Sequence, residues 1–289
     1  MAESPSHRFG QVIGELLESV VKPQLEQFCQ SEGLYLDHQK KARKARHGRK
    51  VSWEDHYSNS HDLDFVIERD GTDQELGQPV AFIEVAWRRY TKHSRNKAQE
   101  IQGSILPLAE KYKWNNPFLG TILAGVFTKG SLDQLRSLGF HILYFPYETL
   151  VAAFGSEGIA IRFDESTPDE EFRACTERIV NASDEVMLRI KEHLLQANNI
   201  QVSEFFAALY KRLERNIHRV IVIPLYGRMS EFATIGSAIK FLDQHQIYEG
   251  SGEFRKYEIH VEFSNGDKVE ASLSSKQKVR EFLEFVATQ

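Results

Sequence analysis

The chain has 289 residues, and its 41% of hydrophobic and 11% of aromatic residues can fill one large core or two ordinary ones, which excludes a disordered composition. The net charge of −5 is small and identifies no partner by itself. Two cysteines exclude a disulfide framework and a zinc quartet. Because there is neither a signal peptide nor an apolar run of membrane-spanning length, we expect a cytoplasmic protein without membrane contact.

The first predicted element is an amphipathic helix over residues 9–28, in which apolar residues recur three and four positions apart. Pro23 predicts a kink or the start of a second helix. Two acidic residues of this helix, Glu15 and Glu18, either lean toward a metal site or remain solvated.

A run of basic residues occupies positions 39–50, with seven lysines and arginines and no acidic residue. Such a concentration attracts phosphate backbones, although a solvated loop has the same composition. The run leads directly into the acidic strands described next, which favours contact with nucleic acid. The seven residues are Lys40, Lys41, Arg43, Lys44, Arg46, Arg49 and Lys50.

Between this run and those strands lie Trp53 and Tyr57. Their rings could stack on nucleic-acid bases, or they could anchor the connecting loop to the core.

Two strand-like segments that carry carboxylates, residues 62–68 and 82–89, are joined by a loop rich in Gly, Asp and Pro, which predicts a hairpin. This hairpin would bring Asp64 and Glu84 side by side. Two carboxylates at that range repel each other unless a divalent cation lies between them, and an all-oxygen ligand set suits Mg²⁺. Asp62 could add a further carboxylate.

The next segments alternate between helix and strand. We predict a helix from Ser94 to about Tyr112, a strand at 121–128, a short helix at 132–138, a strand at 141–146 and a helix at 149–154. Interleaved strands and helices predict an α/β fold with a mixed sheet flanked by helices.

The composition shifts near residues 155–167, where we place the boundary between a first domain (1–160) and a second (161–289). In the second domain we predict helices to about Gln196 and from Ser203, and Asn265-Gly266 predicts a type I′ turn between two alternating strands. This half is interpreted as a C-terminal α+β module that serves target recognition or dimerisation.

Residues 10–154 resemble the PD-(D/E)XK nuclease superfamily, which has the restriction-endonuclease-like fold. Asp64 matches the Asp of the family pattern, and Glu84 in Ile83-Glu-Val-Ala86 matches its Asp/Glu. The resemblance implies hydrolysis of a phosphodiester by water activated by Mg²⁺. It also implies that Asp64, Glu84 and the Val85 carbonyl hold the ion.

The chain departs from this pattern at Ala86, where the family usually has Lys. A cation at that place would position the attacking water and offset charge on the phosphate. Lys97, in the first turns of the following helix, is the first candidate to replace it and Arg88 the second, with Lys92 a third. Arginine remains protonated, so Arg88 could only clamp phosphate.

Two functions therefore stand as expectations. One is a Mg²⁺-dependent endodeoxyribonuclease that cuts duplex DNA, in which a homodimer would supply an active site for each strand. The other is a nucleic-acid-binding protein that keeps the fold without catalysis. The sequence does not separate DNA from RNA.

Overall fold

The structure is a computed structural model that describes residues 4–46, 48–91, 94–214, 216–225, 228–244 and 255–288. It divides into two compact units, Met1–Leu209 and Tyr210–Gln289. The strands of the first unit are, in chain order, β1 (Tyr35–His38), β2 (Val51–Glu54), β3 (Ser60–Leu63), β4 (Phe65–Arg69), β5 (Gln78–Arg88), β6 (Phe118–Gly125) and β7 (His141–Pro146). Its helices are α1 (Pro5–Glu32), α2 (Ser94–Lys111), α3 (Lys129–Ser137), α4 (Tyr147–Ser156), α5 (Asp169–Val180), α6 (Asp184–Ala197) and α7 (Asn199–Leu213), the last of which extends into the second unit.

The first unit is built on a mixed sheet with the strand order β1-β4-β5-β6-β7. Strand β4 pairs with β1 and β5 in antiparallel fashion, whereas β5, β6 and β7 are parallel. The predicted α/β class, the β4–β5 hairpin and the following succession of helices and strands are confirmed. The short strands β1 and β2 were not predicted. The predicted strand 62–68 is divided at Asp64, so its first residues belong to β3, which pairs with β2 in a separate two-stranded hairpin.

Helices cover both faces of this sheet. Phe82 and Ala86 of β5 belong to a buried cluster that includes Ile101 and Ile105 of α2, so α2 packs on the face that carries the even-numbered residues of β5. The opposite face contacts α1, where a Cβ added to Gly10 would lie 3.7 Å from the Trp87 ring. Helix α1 includes Pro23 and runs without interruption, so the alternative of a second helix at that proline is wrong.

The predicted domain boundary at residue 160 is too early. The Phe163 and Phe172 rings lie 5.3 and 5.7 Å from that of Phe9 in α1, and the Phe205 ring lies 5.3 Å from that of Phe118 in β6. Residues 161–209 therefore complete the core of the first unit, because their aromatic side chains fill the space beside α1 and the sheet. The chain divides at Leu209 instead.

The second unit is a small antiparallel sheet with two helices. Its elements are β8 (Ile217–Pro224), β9 (Ser230–Phe232), α8 (Ile235–Gln244), β10 (Tyr257–Phe263), β11 (Lys268–Leu273) and α9 (Lys276–Val286). Both helices and one sheet face share a single apolar core. The strands alternate as predicted, but the type I′ turn is wrong: in Asn265-Gly266 only Gly266 has positive φ (91°), whereas a type I′ turn needs it at both residues.

None of the helices in the described part of the chain combines the length and the apolar character needed to cross a bilayer. Cys29 and Cys175 are buried free thiols.

Candidate functional site

Asp64 and Glu84 meet because of the register of the β4–β5 hairpin. Strand β4 begins at Phe65, which is paired with Ile83 of β5, so the residue before Phe65 lies opposite the residue after Ile83. Val66 and Phe82 are paired one step further along and both belong to the cluster under α2. Side chains alternate along strands, so both carboxyl groups project on the α2 side of the sheet.

Hydrogen bonds hold the Asp64 carboxylate in place. Its Oδ2 accepts a hydrogen bond of 2.7 Å from the main-chain N–H of Val85, and its Oδ1 accepts one of 3.0 Å from Nε2 of Gln39. Val85 directly follows Glu84, so the first bond ties one carboxylate to the strand that carries the other. Sequence reasoning missed Gln39, because a single glutamine at the start of a basic run has no pattern that identifies it.

Burial raises the pKa of both carboxyl groups. The pKa of Glu84 rises to about 8, first because the group is removed from water and second because Asp64 repels its charge. The pKa of Asp64 is also raised, chiefly by burial. The two groups are close enough to share a hydrogen bond when one of them is protonated. A pair of this kind resists carrying two negative charges without a cation.

A third carboxylate, that of Glu18 in α1, approaches the pair. Its pKa is raised by burial and then by repulsion from Asp64, while Lys40 at 3.7 Å opposes the rise. Of the two acidic residues considered on this helix, Glu18 therefore interacts electrostatically with Asp64 of the site.

The donor set of Asp64 and Glu84 fits a divalent cation in charge and chemistry. Two adjacent, partly desolvated carboxylates are hard oxygen donors, and a cation would remove the repulsion that raises their pKa. Within the described ranges, no group of three or more His, Cys, Asp or Glu side chains is arranged to hold a metal ion.

Two of the cations proposed to replace the lysine missing at Ala86 converge on one acidic side chain. Lys97 Nζ lies 3.4 Å from Glu100 Oε2, and Nη2 of Arg88 lies 3.5 Å from the same oxygen. Lys97 is the better placed of the two, because its positive charge acts on both carboxyl groups. It offsets part of the rise that burial causes in the pKa of Asp64 and of Glu84. Lys92 lies outside the described residues.

The basic run separates into exposed and buried residues. Arg43 has a fully buried guanidinium that bonds to Asp37 at 2.9 Å and to Glu68 at 2.5 Å, and Arg46 bonds to Asp37 at 3.0 Å. The expectation that Arg43 and Arg46 contact nucleic acid is corrected, because Arg43 anchors the loop to β1 and β4 and Arg46 anchors it to β1. The side chains that remain exposed or partly exposed are those of Lys40, Lys41, Lys44, Arg49 and Lys50.

Asp62 does not join the carboxylate pair. Its oxygens accept hydrogen bonds from Lys50 Nζ and from the Ser52 hydroxyl, both at 2.5 Å. Of the two aromatic residues discussed for this segment, Trp53 is buried and anchors the β2–β3 hairpin to the core, whereas Tyr57 is exposed.

A cavity of about 660 Å³ lies at the end of β5, next to the strand position that carries Glu84, and its lining includes neither Asp64 nor Glu84. Its walls are formed by the first turns of α1, the end of β5 and the start of α2. Val85 and Ala86, the two residues of β5 that follow Glu84, line this cavity. Arg88 and Lys97 add positive charge to its wall. The small side chain at position 86 adds no charge of its own to this wall.

Comparisons with known proteins give no assignment. No family model matches the chain, and no curated protein matches its sequence. The chain is similar to a solved structure described as a protein of unknown function, AF1548, with a TM-score of 0.29 and 14% identity over 66% of this chain and 99% of that one.

Proposed function

We propose that the protein is a Mg²⁺-dependent endodeoxyribonuclease of restriction-endonuclease-like fold, and that it hydrolyses phosphodiester bonds in duplex DNA. One observation carries the proposal: the buried carboxyl group of Glu84 and the half-buried one of Asp64 face each other across the β4–β5 hairpin, with Lys97 close enough to lower the pKa of both. The order α1, β4, β5, α2, β6, α3 and β7 supports the same family assignment.

In this proposal Asp64 and Glu84 hold the metal ion, with the Val85 carbonyl as a further oxygen ligand. The ion would supply Lewis acidity, which lowers the pKa of water and neutralises charge on the phosphate. The Val85 amide and Gln39 fix the orientation of the Asp64 carboxylate, so that its oxygens are already placed when the ion binds.

Lys97 takes the role of the family lysine. Its ammonium group would donate hydrogen bonds to the attacking water or to a phosphate oxygen, where negative charge increases in the transition state. Hydrolysis joins the water oxygen to phosphorus and breaks the bond from phosphorus to the leaving oxygen, which receives a proton. Arg88 remains protonated and acts as a phosphate clamp.

The exposed lysines and arginine of the basic run, Lys40, Lys44, Arg49 and Lys50, would hold the DNA backbone next to this site. Cleavage of both strands of a duplex commonly uses two active sites, so the proposal includes a homodimer.

The test is cleavage of plasmid and of an end-labelled duplex by the full chain with Mg²⁺. Asp64→Asn and Glu84→Gln should each lower the rate by about a hundredfold or more. Asp133→Asn serves as the control, because Asp133 forms only surface ion pairs with Lys129 and Arg136. Unchanged cleavage in Asp64→Asn would overturn the assignment of the site. Binding of DNA by the wild-type chain without any cleavage would support a nucleic-acid-binding protein instead.

A further inference from the structure

Two aromatic side chains of the first unit lie open to solvent. Tyr57 is 87% exposed and Trp114 is 85% exposed, the highest values among the large hydrophobic side chains of the described residues. Single exposed hydrophobic residues are ordinary, whereas neighbouring exposed rings offer faces on which a planar ligand can stack.

The structure brings these two rings to the same corner. Tyr57 lies in the loop of the β2–β3 hairpin, and Trp114 lies in the 3₁₀ helix Lys113–Asn115 that follows α2. Lys111, in the last turn of α2, donates a hydrogen bond of 3.2 Å to the main-chain carbonyl of Asp55 in that loop. Beneath the surface, the Trp53 and Tyr112 rings lie 5.5 Å apart. The hairpin loop is therefore fixed to the end of α2.

The loop that carries Tyr57 is built around the carboxylate of Asp55. This carboxylate accepts hydrogen bonds from the main-chain N–H groups of Tyr57 (2.8 Å) and Asn59 (3.0 Å) and from the Asn59 amide (3.0 Å). The hydrogen bonds keep the pKa of Asp55 below its usual range. Ser58 completes the turn with φ of +62°. Because the loop is ordered before binding, a ligand that contacts Tyr57 avoids part of the entropy cost of fixing it.

The chemistry around the two rings favours nucleic-acid bases as the occupant. Lys113 Nζ lies 5.9 Å from the centre of the Trp114 ring, and the flanking residues Ser58, Asn115 and Asn116 are polar. The centre of a protein–protein interface is depleted of charged residues, whereas here a lysine and polar side chains adjoin the rings. Aromatic rings with neighbouring cations are the arrangement on which unpaired bases stack, largely without regard to sequence.

This corner and the candidate active site lie toward opposite ends of α2. Lys97 and Lys111 lie near the two ends of α2, fourteen residues apart, which corresponds to about 21 Å along the helix axis. A strand that leaves the active site along α2 would reach the two rings after a few nucleotides.

We propose that Tyr57 and Trp114 form a base-stacking platform for an unpaired part of the substrate. The proposal rests on the proposed nuclease function and specifies its substrate class: DNA that has a single-stranded or branched segment next to the duplex that is cut. In a fully paired duplex the bases are already stacked on one another, so the platform would add little.

The platform can be tested by fluorescence anisotropy in EDTA, where no cleavage occurs. The probes are labelled 20-nucleotide oligo(dT), a 20-base-pair duplex, and a fork that joins the two. Trp114→Ala and Tyr57→Ala should each weaken binding of oligo(dT) and of the fork about tenfold or more. Their affinity for the duplex should stay within twofold of the wild type. Trp114→Phe should bind oligo(dT) nearly as well as the wild type, because the ring is retained.

Phe285→Ala is the matched control, since Phe285 is an exposed aromatic residue of the second unit, and it should bind all three probes as the wild type does. Wild-type affinity of Trp114→Ala and Tyr57→Ala for oligo(dT) and the fork would overturn the platform. An equal loss for the duplex would overturn base stacking, and a change of oligomeric state in Trp114→Ala would assign the rings to self-association. The binding assay does not depend on cleavage. If the wild-type chain cut no DNA but its binding of oligo(dT) depended on Tyr57 and Trp114, the nuclease proposal would be refuted and the base-stacking platform would stand.

Discussion

The main-chain N–H of Val85 donates a hydrogen bond of 2.7 Å to the carboxylate of Asp64. This bond crosses the β4–β5 hairpin at the point where Glu84 projects from β5, and it holds Asp64 beside Glu84. The site is thus fixed by the backbone of the sheet. The cost of this arrangement is electrostatic, since two carboxylates are kept together where both are partly removed from water.

The first prediction concerns the free energy of unfolding of the metal-free protein as a function of pH. The pKa of Glu84 is about 8 in the folded chain and near its usual value of 4.5 when unfolded. Between these values the folded chain binds more protons, so stability falls as the pH rises from about 4.5 to about 8 and stays low above that range. Glu84→Gln removes this loss and should stabilise the protein at pH 9 by on the order of a few kcal/mol relative to wild type.

Urea unfolding at pH 5, 7 and 9 in EDTA would measure this effect. The two proteins should differ little at pH 5, where the wild-type carboxyl is protonated. If Glu84→Gln were the less stable protein at pH 9, the ionised Glu84 carboxylate would not be destabilising the folded chain.

The second prediction concerns protons released when a metal ion binds. At pH 7 the Glu84 carboxyl is largely protonated because of its raised pKa, and a metal ligand must be deprotonated. Binding of Mg²⁺ should therefore release up to about one proton per site at pH 7 and much less at pH 9. Isothermal titration calorimetry in buffers of different ionisation enthalpy measures this number. Release that is unchanged in Glu84→Gln would show that the protons come from another group.

The third prediction concerns the cation that replaces the family lysine. Lys97→Ala should lower the rate of cleavage by about a hundredfold or more with little effect on the binding of DNA, because the interaction is needed in the transition state. Ala86 lies on the same strand face as Glu84 and lines the same cavity as Lys97. Adding Ala86→Lys to the Lys97→Ala variant should therefore restore part of the activity.

Single-turnover rates and DNA affinities of the wild type and of both variants would check this prediction. Arg88→Ala is the comparison, since a phosphate clamp should affect binding more than the rate. If Lys97→Ala kept full activity, a cation other than Lys97 would have to replace the family lysine.

The sequence was sufficient to predict the carboxylate hairpin, because strand alternation and a turn-rich loop determine which residues face each other. Asp64 and Glu84 are twenty positions apart, and the hairpin register alone makes them neighbours. The convergence of Lys97 could only be proposed, since it depends on how α2 is rotated on the sheet. Gln39 could not be found at all, because its contact with Asp64 spans 25 positions without any periodic signal.

The charge pattern was less informative than the apolar pattern. Positions 43 and 44 are both basic, yet Arg43 is buried between Asp37 and Glu68 while Lys44 is exposed. The difference comes from acidic residues in β1 and β4 that approach only after folding. The boundary between the two units was misplaced for a similar reason: the aromatic residues that join 161–209 to the first unit lie on helices that look independent in the sequence.

The fourth prediction concerns the salt dependence of DNA binding. Lys44 and Lys50 are exposed, and the Lys50 side chain is 72% open to solvent. If each neutralises one phosphate, Lys44→Ala and Lys50→Ala should each weaken duplex binding and lower the slope of log K against log salt by about one. Affinities measured at several salt concentrations give this slope. Lys278→Ala in the second unit is the control, and an equal change there would indicate a diffuse charge effect.

The last prediction separates a structural role for Arg43 from a role in phosphate contact. Its guanidinium donates to Asp37 at 2.9 Å and to Glu68 at 2.5 Å, and Gly77 N–H donates to the same Glu68 carboxylate at 2.6 Å. Arg43→Met leaves buried carboxylates without their cation and should cost about 3–5 kcal/mol of unfolding free energy. Lys44→Met makes the same substitution one position along at an exposed site and should change stability by less than about 0.5 kcal/mol.

Urea unfolding of the two variants, together with their affinity for duplex DNA, decides between the roles. The double variant Arg43→Met/Glu68→Met should recover part of the loss, because it removes one of the carboxylates that Arg43 neutralises. If the Arg43→Met variant had wild-type stability but bound DNA less tightly, Arg43 would be a phosphate-binding residue. The opposite result, lost stability with unchanged salt dependence, follows from a guanidinium that is enclosed between two carboxylates and cannot reach a phosphate.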